Sequence, residues 1–170
     1  MADMTLDLNG YFDRIGYRGA ADPTFDVLHE LVTAHTRTIP FENLDPLLGV
    51  PVDDLSPDAL ADKLVHRRRG GYCYEHNGLM GHVLEAVGFG VRRFAARVVW
   101  TMQPGAPVPS QTHTLLAVTL PEAPQLLLVD VGSAVRRRHR RCGWSPAASS
   151  RQRTSRIVSR IAGVVWCWRR

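Results

Sequence analysis

Apolar side chains recur at helical spacing along the first half of the chain and at alternate positions along the stretch that follows. Tyr11, Phe12 and Ile15 mark a short amphipathic helix closed by Gly16. Phe25, Leu28, Leu31 and Val32 mark a longer one, opened by Pro23 and running to about His35. The Ile39 to Leu44 stretch carries Pro40, so it is expected to stop that helix and lead, in extended form, to Val52. Ser56 and Pro57 make a cap and first-turn pair, which predicts a third helix to about Arg68 with Leu60, Leu64 and Val65 on one face. Beyond Gly70 and Gly71 a buried helix is expected from Cys73 or Tyr74 to Val87, with Gly88 as its C-terminal cap. The period then becomes two. Strands are expected over 91–100, 112–119 and 125–131, separated by proline-bearing loops at 103–109 and 120–124. Helices first and strands second predict an α+β class.

Composition narrows the function classes. A chain of 170 residues with 45% hydrophobic content is long enough for a real core. No stretch approaches the ~20 apolar residues that span a bilayer, and the acidic N-terminus does not resemble a signal peptide, so no membrane association and a cytoplasmic location are expected. Cys73, Cys142 and Cys167 lack regular spacing, and an odd count leaves a free thiol, which suits a reducing compartment. The net charge of +5 averages two unlike segments. Residues 1–132 hold all 16 acids and 10 of the 21 basic residues, whereas residues 133–170 hold 11 arginines and no acid.

Candidate chemistry gathers around Cys73. Two glycines before it let the backbone turn sharply, and the start of a helix favours a thiolate through its dipole and free N–H groups. Arg67, Arg68 and Arg69 add positive charge nearby, but they also suit the end of the preceding helix on dipole grounds alone. A thiol nucleophile calls for an imidazole and a group that orients it. His113 opens one predicted strand and Asp130 closes the next. With a four-residue connection over 120–123 the two lie directly opposite on one face, together with Leu115, Ala117, Leu126 and Leu128 as an apolar wall. A five-residue connection brings Val131 opposite His113 instead. A plainer role also fits, in which Asp130 caps a turn and His113 is a satisfied strand histidine. His29, His35 and His66 are expected at the surface. His76 and His82 could suggest a metal site with Cys73, but their spacing shares no helical face and no second ligand pair follows, so no metal is expected.

The motif Arg69-Gly70-Gly71-Tyr72-Cys73-Tyr74-Glu75-His76-Asn77 resembles the active-site signature of the arylamine N-acetyltransferases, especially the actinobacterial enzymes. Ile39-Pro40-Phe41-Glu42-Asn43-Leu44, Thr112-His113 and Val129-Asp130-Val131-Gly132 match three further family motifs in the right order. The resemblance covers residues 4–132. It implies a papain-like cysteine-transferase fold built from an N-terminal helical bundle, a β-barrel and a C-terminal lid. It also implies ping-pong transfer of acetyl from acetyl-CoA, as co-substrate, to an arylamine, hydrazine or arylhydroxylamine nitrogen, with no permanently bound cofactor. Carried over by position, Cys73 is the nucleophile, His113 the base and Asp130 its orienter. Phe41, Tyr72 and Tyr74 help line the pocket, and the Tyr74 N–H serves the oxyanion.

The motifs stop after Gly132. Restoring one nucleotide before Ser133, with permitted codons, rereads residues 133–144 as a segment beginning Phe-Gly-Gly, as the family continues. The chain therefore divides into 1–88, a helical domain carrying the cysteine; 89–132, the start of an incomplete barrel; and 133–170, an arginine-rich tail read as frameshifted, with the lid missing. Such a tail is expected to leave strand edges uncovered and turnover low or absent. The alternative is a non-catalytic protein whose basic tail binds polyanions by charge, without specific nucleic-acid recognition.

Overall fold

The computed structural model describes residues 6–98, 103 and 105–133, together with the backbone of 164–168. Among the described residues five α-helices and one π-helical turn precede a four-stranded antiparallel sheet of order β1-β2-β3-β4. The helices are α1 Leu8–Ile15, α2 Phe25–Thr38, α3 Leu44–Leu47, α4 Pro57–Ala61 and α5 Cys73–Val87; the strands are β1 Gly90–Ala96, β2 His113–Leu120, β3 Ala123–Asp130 and β4 Val164–Trp168. The expected α+β order is the observed one, and the sheet is open.

Local chemistry sets most boundaries. Thr24 rather than Pro23 opens α2, its Oγ1 accepting from the Val27 N–H at 3.3 Å. The helix runs three residues past His35 and stops just before Pro40. Ser56 caps α4 as expected, with Pro57 in the first turn. The regular helix lasts only to Ala61, and a π-helical turn, Asp62–His66, continues it. That wider turn brings Lys63, Leu64 and Val65 all inward, where a regular helix would point one of three consecutive residues out. The connection expected to be extended through Val52 contains α3. Gly88 ends α5 at φ 105°, as expected.

The core lies between the helices and one face of the sheet. Tyr11, Leu28, Leu31, Leu64, Leu79, Met80 and Leu84 pack with Leu116, Val118, Leu127 and Val129, all essentially without solvent contact. The other face, which by alternation carries Phe94, Leu115, Leu126 and Leu128, is half-buried, with Phe94 41% exposed.

The β2–β3 hairpin departs from the expected register. Leu120 pairs with Ala123 across a two-residue turn, but a bulge follows, and Thr119 pairs with Leu126. Two residues of β3, Pro124 and Gln125, are looped into that irregularity, where the missing N–H of a proline costs no ladder bond. Leu116 faces Val129, so Asp130 comes opposite Leu115 rather than His113. The slip is two residues, so the face is unchanged and His113 and Asp130 become diagonal neighbours. The outer edge of β3 is not open, contrary to expectation. Val164–Trp168 of the arginine-rich segment pairs along it, from Leu126↔Trp168 to Asp130↔Val164. The expected extension of the first strand over 99–100 and most of the tail lie outside the described residues.

Candidate active site

Cys73 begins α5 and is buried at 8% exposure, its thiol 3.8 Å from the Thr112 carbonyl at the mouth of β2. Thr112 and His113 bring the imidazole alongside, and His113 Nε2 lies 2.7 Å from Asp130 Oδ2. The three residues expected to act together are thus gathered from a helix start, a strand start and a strand end. Burial disfavours the charged ring, but hydrogen bonds and charge from Asp130 and from Cys73 outweigh it, lifting the His113 pKa to about 10. With Nε2 engaged by Asp130, Nδ1 is the ring nitrogen left for the thiol.

Asp130 also does what the plainer reading expected. Its Oδ1 accepts from the Gly132 N–H at 3.0 Å, capping the turn while Oδ2 holds His113. Gly132 is needed there for space. A Cβ on it would come within 2.6 Å of the Cys73 Cα, so the end of β3 rests directly on the start of α5.

Asn77 ties the two halves together. One turn after Cys73, at 1% exposure, it donates through Nδ2 to Asp130 Oδ1 at 3.0 Å and to the Thr114 carbonyl at 2.8 Å. Its Oδ1 accepts from the Val131 N–H at 3.0 Å. In the sequence Asn77 stands out only as the last residue of the Arg69–Asn77 motif. Its signal was the spacing of four from Cys73, which puts both on one helix face.

The loop before Cys73 is held by an ion network that the sequence did not disclose. Lys63 Nζ reaches Asp45 at 2.6 Å and Glu75 at 2.5 Å. Arg69 bonds Asp45 at 2.7 Å and pairs with Glu42, whose other oxygen accepts from the Gly70 N–H at 3.2 Å. Glu75 Oε2 accepts from the Tyr72 N–H, securing the first turn of α5. The Arg69 charge is therefore spent on carboxylates rather than directed at the thiol, and Arg67 pairs with Asp62. Lys63, three residues after Leu60, lies at the edge of the apolar face of Leu60, Leu64 and Val65, and in the π-helical turn it reaches inward to Asp45 and Glu75. The two carboxylates that receive it are not foretold by spacing.

Of the residues expected to line a pocket, Phe41 is 42% exposed and forms a bridge with Gly71, while Tyr72 and Tyr74 are half-buried with ring centroids 5.4 Å apart. Gly70 permits this approach, since a Cβ there would meet the Pro40 carbonyl at 2.1 Å. His29 and His66 are at the surface as expected. His35 is not: it is wholly buried. Its place on the core face of α2, beside Leu28, Leu31 and Val32, overrides its polarity because its ring nitrogens find partners. No helix among the described residues is long and apolar enough to cross a membrane.

A family model described as N-acetyltransferase matches residues 24–161, running past the Gly132 at which the motifs end. The arylamine N-acetyltransferase of Mycobacterium tuberculosis is 74% identical over 129 residues, which are 76% of this chain and 46% of that protein. Among solved structures, the M. tuberculosis arylamine N-acetyltransferase superposes with a TM-score of 0.72 at 75% identity, covering 74% of this chain and 47% of that one. The Mycobacterium marinum enzyme in complex with CoA gives 0.71 at 69% identity, over 74% and 46%. The chain thus spans about half the length of the relatives it matches. With the four motifs gathered in one place and matches of this extent, the chain belongs to the arylamine N-acetyltransferase family.

Proposed function

We propose that this chain carries the thiol chemistry of acetyl transfer from acetyl-CoA to an arylamine or hydrazine nitrogen. The observation that carries the proposal is the Cys73–His113–Asp130 arrangement, in which a charged imidazole beside the thiol is favoured by its 2.7 Å partner. The imidazole takes up the thiol proton and, once charged, favours negative charge on the sulfur beside it. The Cys73 sulfur attacks the carbonyl carbon of the thioester, and the developing oxyanion is met by backbone N–H groups at the start of α5, that of Tyr74 among them. As the C–S bond to CoA breaks, His113 gives its proton to the departing sulfur. In the second half the amine attacks the acetyl-cysteine, His113 takes the amine proton and the Cys73 thiolate leaves. Asp130 holds the ring in place throughout. Phe41, Tyr72 and Tyr74 offer apolar surface to an aromatic acceptor.

The papain-like arrangement belongs to the same proposal, as does a cytoplasmic setting that keeps the thiol reduced. The segment from 133 onward is proposed to come from a shifted reading frame, on the strength of its abrupt change in charge and of the family-like sequence that permitted codons allow when one nucleotide is restored before Ser133. Sequencing the locus tests that; a downstream frame without transferase-like sequence refutes it. Because the chain spans about half of its relatives, steady turnover is expected to be low, and the decisive experiment reads the first half-reaction alone. Brief exposure to acetyl-CoA followed by intact-mass analysis should give one acetyl group, lost in Cys73→Ser. Absence of an adduct from soluble, folded protein refutes the proposal.

A further inference from the structure

A buried polar chain behind the site takes no part in the chemistry above. The Tyr11 hydroxyl lies 2.9 Å from His35 Nδ1, His35 Nε2 lies 2.8 Å from His76 Nδ1, and His76 Nε2 lies 3.1 Å from the Pro40 carbonyl. Tyr11 and His35 are fully buried and His76 is 1% exposed. Four elements meet in it: α1, α2, α5 and the segment leading into Phe41.

The direction of every proton follows from the last acceptor. A carbonyl only accepts, so His76 Nε2 carries its hydrogen. Burial holds both rings below the ordinary histidine pKa, so they are neutral and each has a single N–H. His76 Nδ1 is then an acceptor, His35 Nε2 must donate to it, and His35 Nδ1 must accept from Tyr11. Both histidines are thus Nε2–H tautomers, fixed from one end of the chain to the other.

The far end is where this matters. The Pro40 carbonyl also accepts from the Gly71 N–H at 3.4 Å, and the Glu42 N–H donates to the Gly71 carbonyl at 2.8 Å. The Phe41 ring lies parallel to that of His76, 5° between planes and 6.4 Å between centroids. His76 therefore grips Phe41 from two sides, through the carbonyl before it and through its ring, while sharing α5 with Cys73. We infer that His76 is a positioning residue for the aromatic acceptor, setting the Phe41 wall relative to Cys73, with His35 and Tyr11 fixing the tautomer that lets it do so. This rests on the proposed contact between Phe41 and the acceptor.

Two measurements on the full chain test it. Long-range nitrogen–proton NMR should find His35 and His76 neutral and protonated at Nε2 between about pH 6 and pH 8; a ring that titrates there, or one protonated at Nδ1, overturns the directional chain. The second compares alkylation of Cys73 by iodoacetamide with that by N-benzyl iodoacetamide, read by peptide mass. The ratio of aryl to small reagent should fall about two- to tenfold in Phe41→Ala, the range of one aromatic contact. It should fall similarly in His76→Leu and recover in His76→Gln, whose amide can still donate to Pro40. His35→Leu, one step removed from Phe41 and without a donor for His76 Nδ1, keeps the test available should His76→Leu fail to fold, and should lower the ratio less. A ratio unchanged in Phe41→Ala removes the acceptor wall and the inference with it. A ratio that falls there but holds in both His76→Leu and His35→Leu overturns the role of the histidines alone.

Discussion

The helical part and the sheet hold the candidate site in different ways. Cys73 belongs to a helix packed on several sides, with Leu79, Val83 and Leu84 without solvent contact and its entry loop tied by Lys63, Glu75, Asp45, Arg69 and Glu42. His113 and Asp130 belong to strands whose second face is half-buried. Their placement depends less on packing from their own layer than on hydrogen bonds from α5, above all those of Asn77. Cys73 is thus positioned by its own element, whereas His113 and Asp130 are positioned by the element that carries Cys73.

The sharpest way to break this contrast is Leu79→Ala, which should cost about 2–5 kcal/mol in a urea melt, as for a fully buried leucine. A loss under about 1 kcal/mol would mean that the helical core is not the rigid partner described here. Asn77→Ala comes next. It leaves the Val131 N–H and the Thr114 carbonyl without their bonds and should cost about 1–3 kcal/mol. If the sheet held its own residues in place, Cys73 alkylation would survive that change with its pH profile intact; we expect the profile to move.

Titration sharpens the same division with smaller effects. His113 has its pKa raised in the folded state, so its contribution to stability is whole below about pH 6.5, declines as pH rises, and is gone above about pH 10. His35 and His76 have theirs lowered, so their contribution is whole above about pH 6.5 and is lost as pH falls and the buried rings must charge. Melts across pH should therefore weaken on the alkaline side through the sheet and on the acid side through the helices. Asp130→Asn should flatten only the alkaline limb and return the His113 pKa, followed by NMR, from about 10 towards about 6.5. The smallest effect belongs to Leu128→Ala on the half-buried face, expected within about 1 kcal/mol in a urea melt.

Local signals made much of this legible in the sequence. Ser56-Pro57, Gly88 and the shift from helical to alternate spacing locate elements because caps and periodicity act within a few residues. The gathering of Cys73, His113 and Asp130 was legible through motif resemblance, and the shared face of the last two through strand parity. What escaped depended on distant partners. His35 is polar by type, yet it is buried because Tyr11 and His76 complete its bonds. Lys63 turns inward because Asp45 and Glu75 wait for it. The hairpin register turned on a bulge at Pro124 that strand spacing alone does not encode.

That bulge bears on how the chain tolerates change. Because it absorbs a pair of residues, side-chain parity along β3 survives, and Asp130 stays within reach of His113 from a diagonal position. Insertions or deletions of two residues at this hairpin tip should therefore drift through a lineage at little cost. A single-residue change turns Asp130 to the opposite face, so the tip should accumulate length variation in even steps.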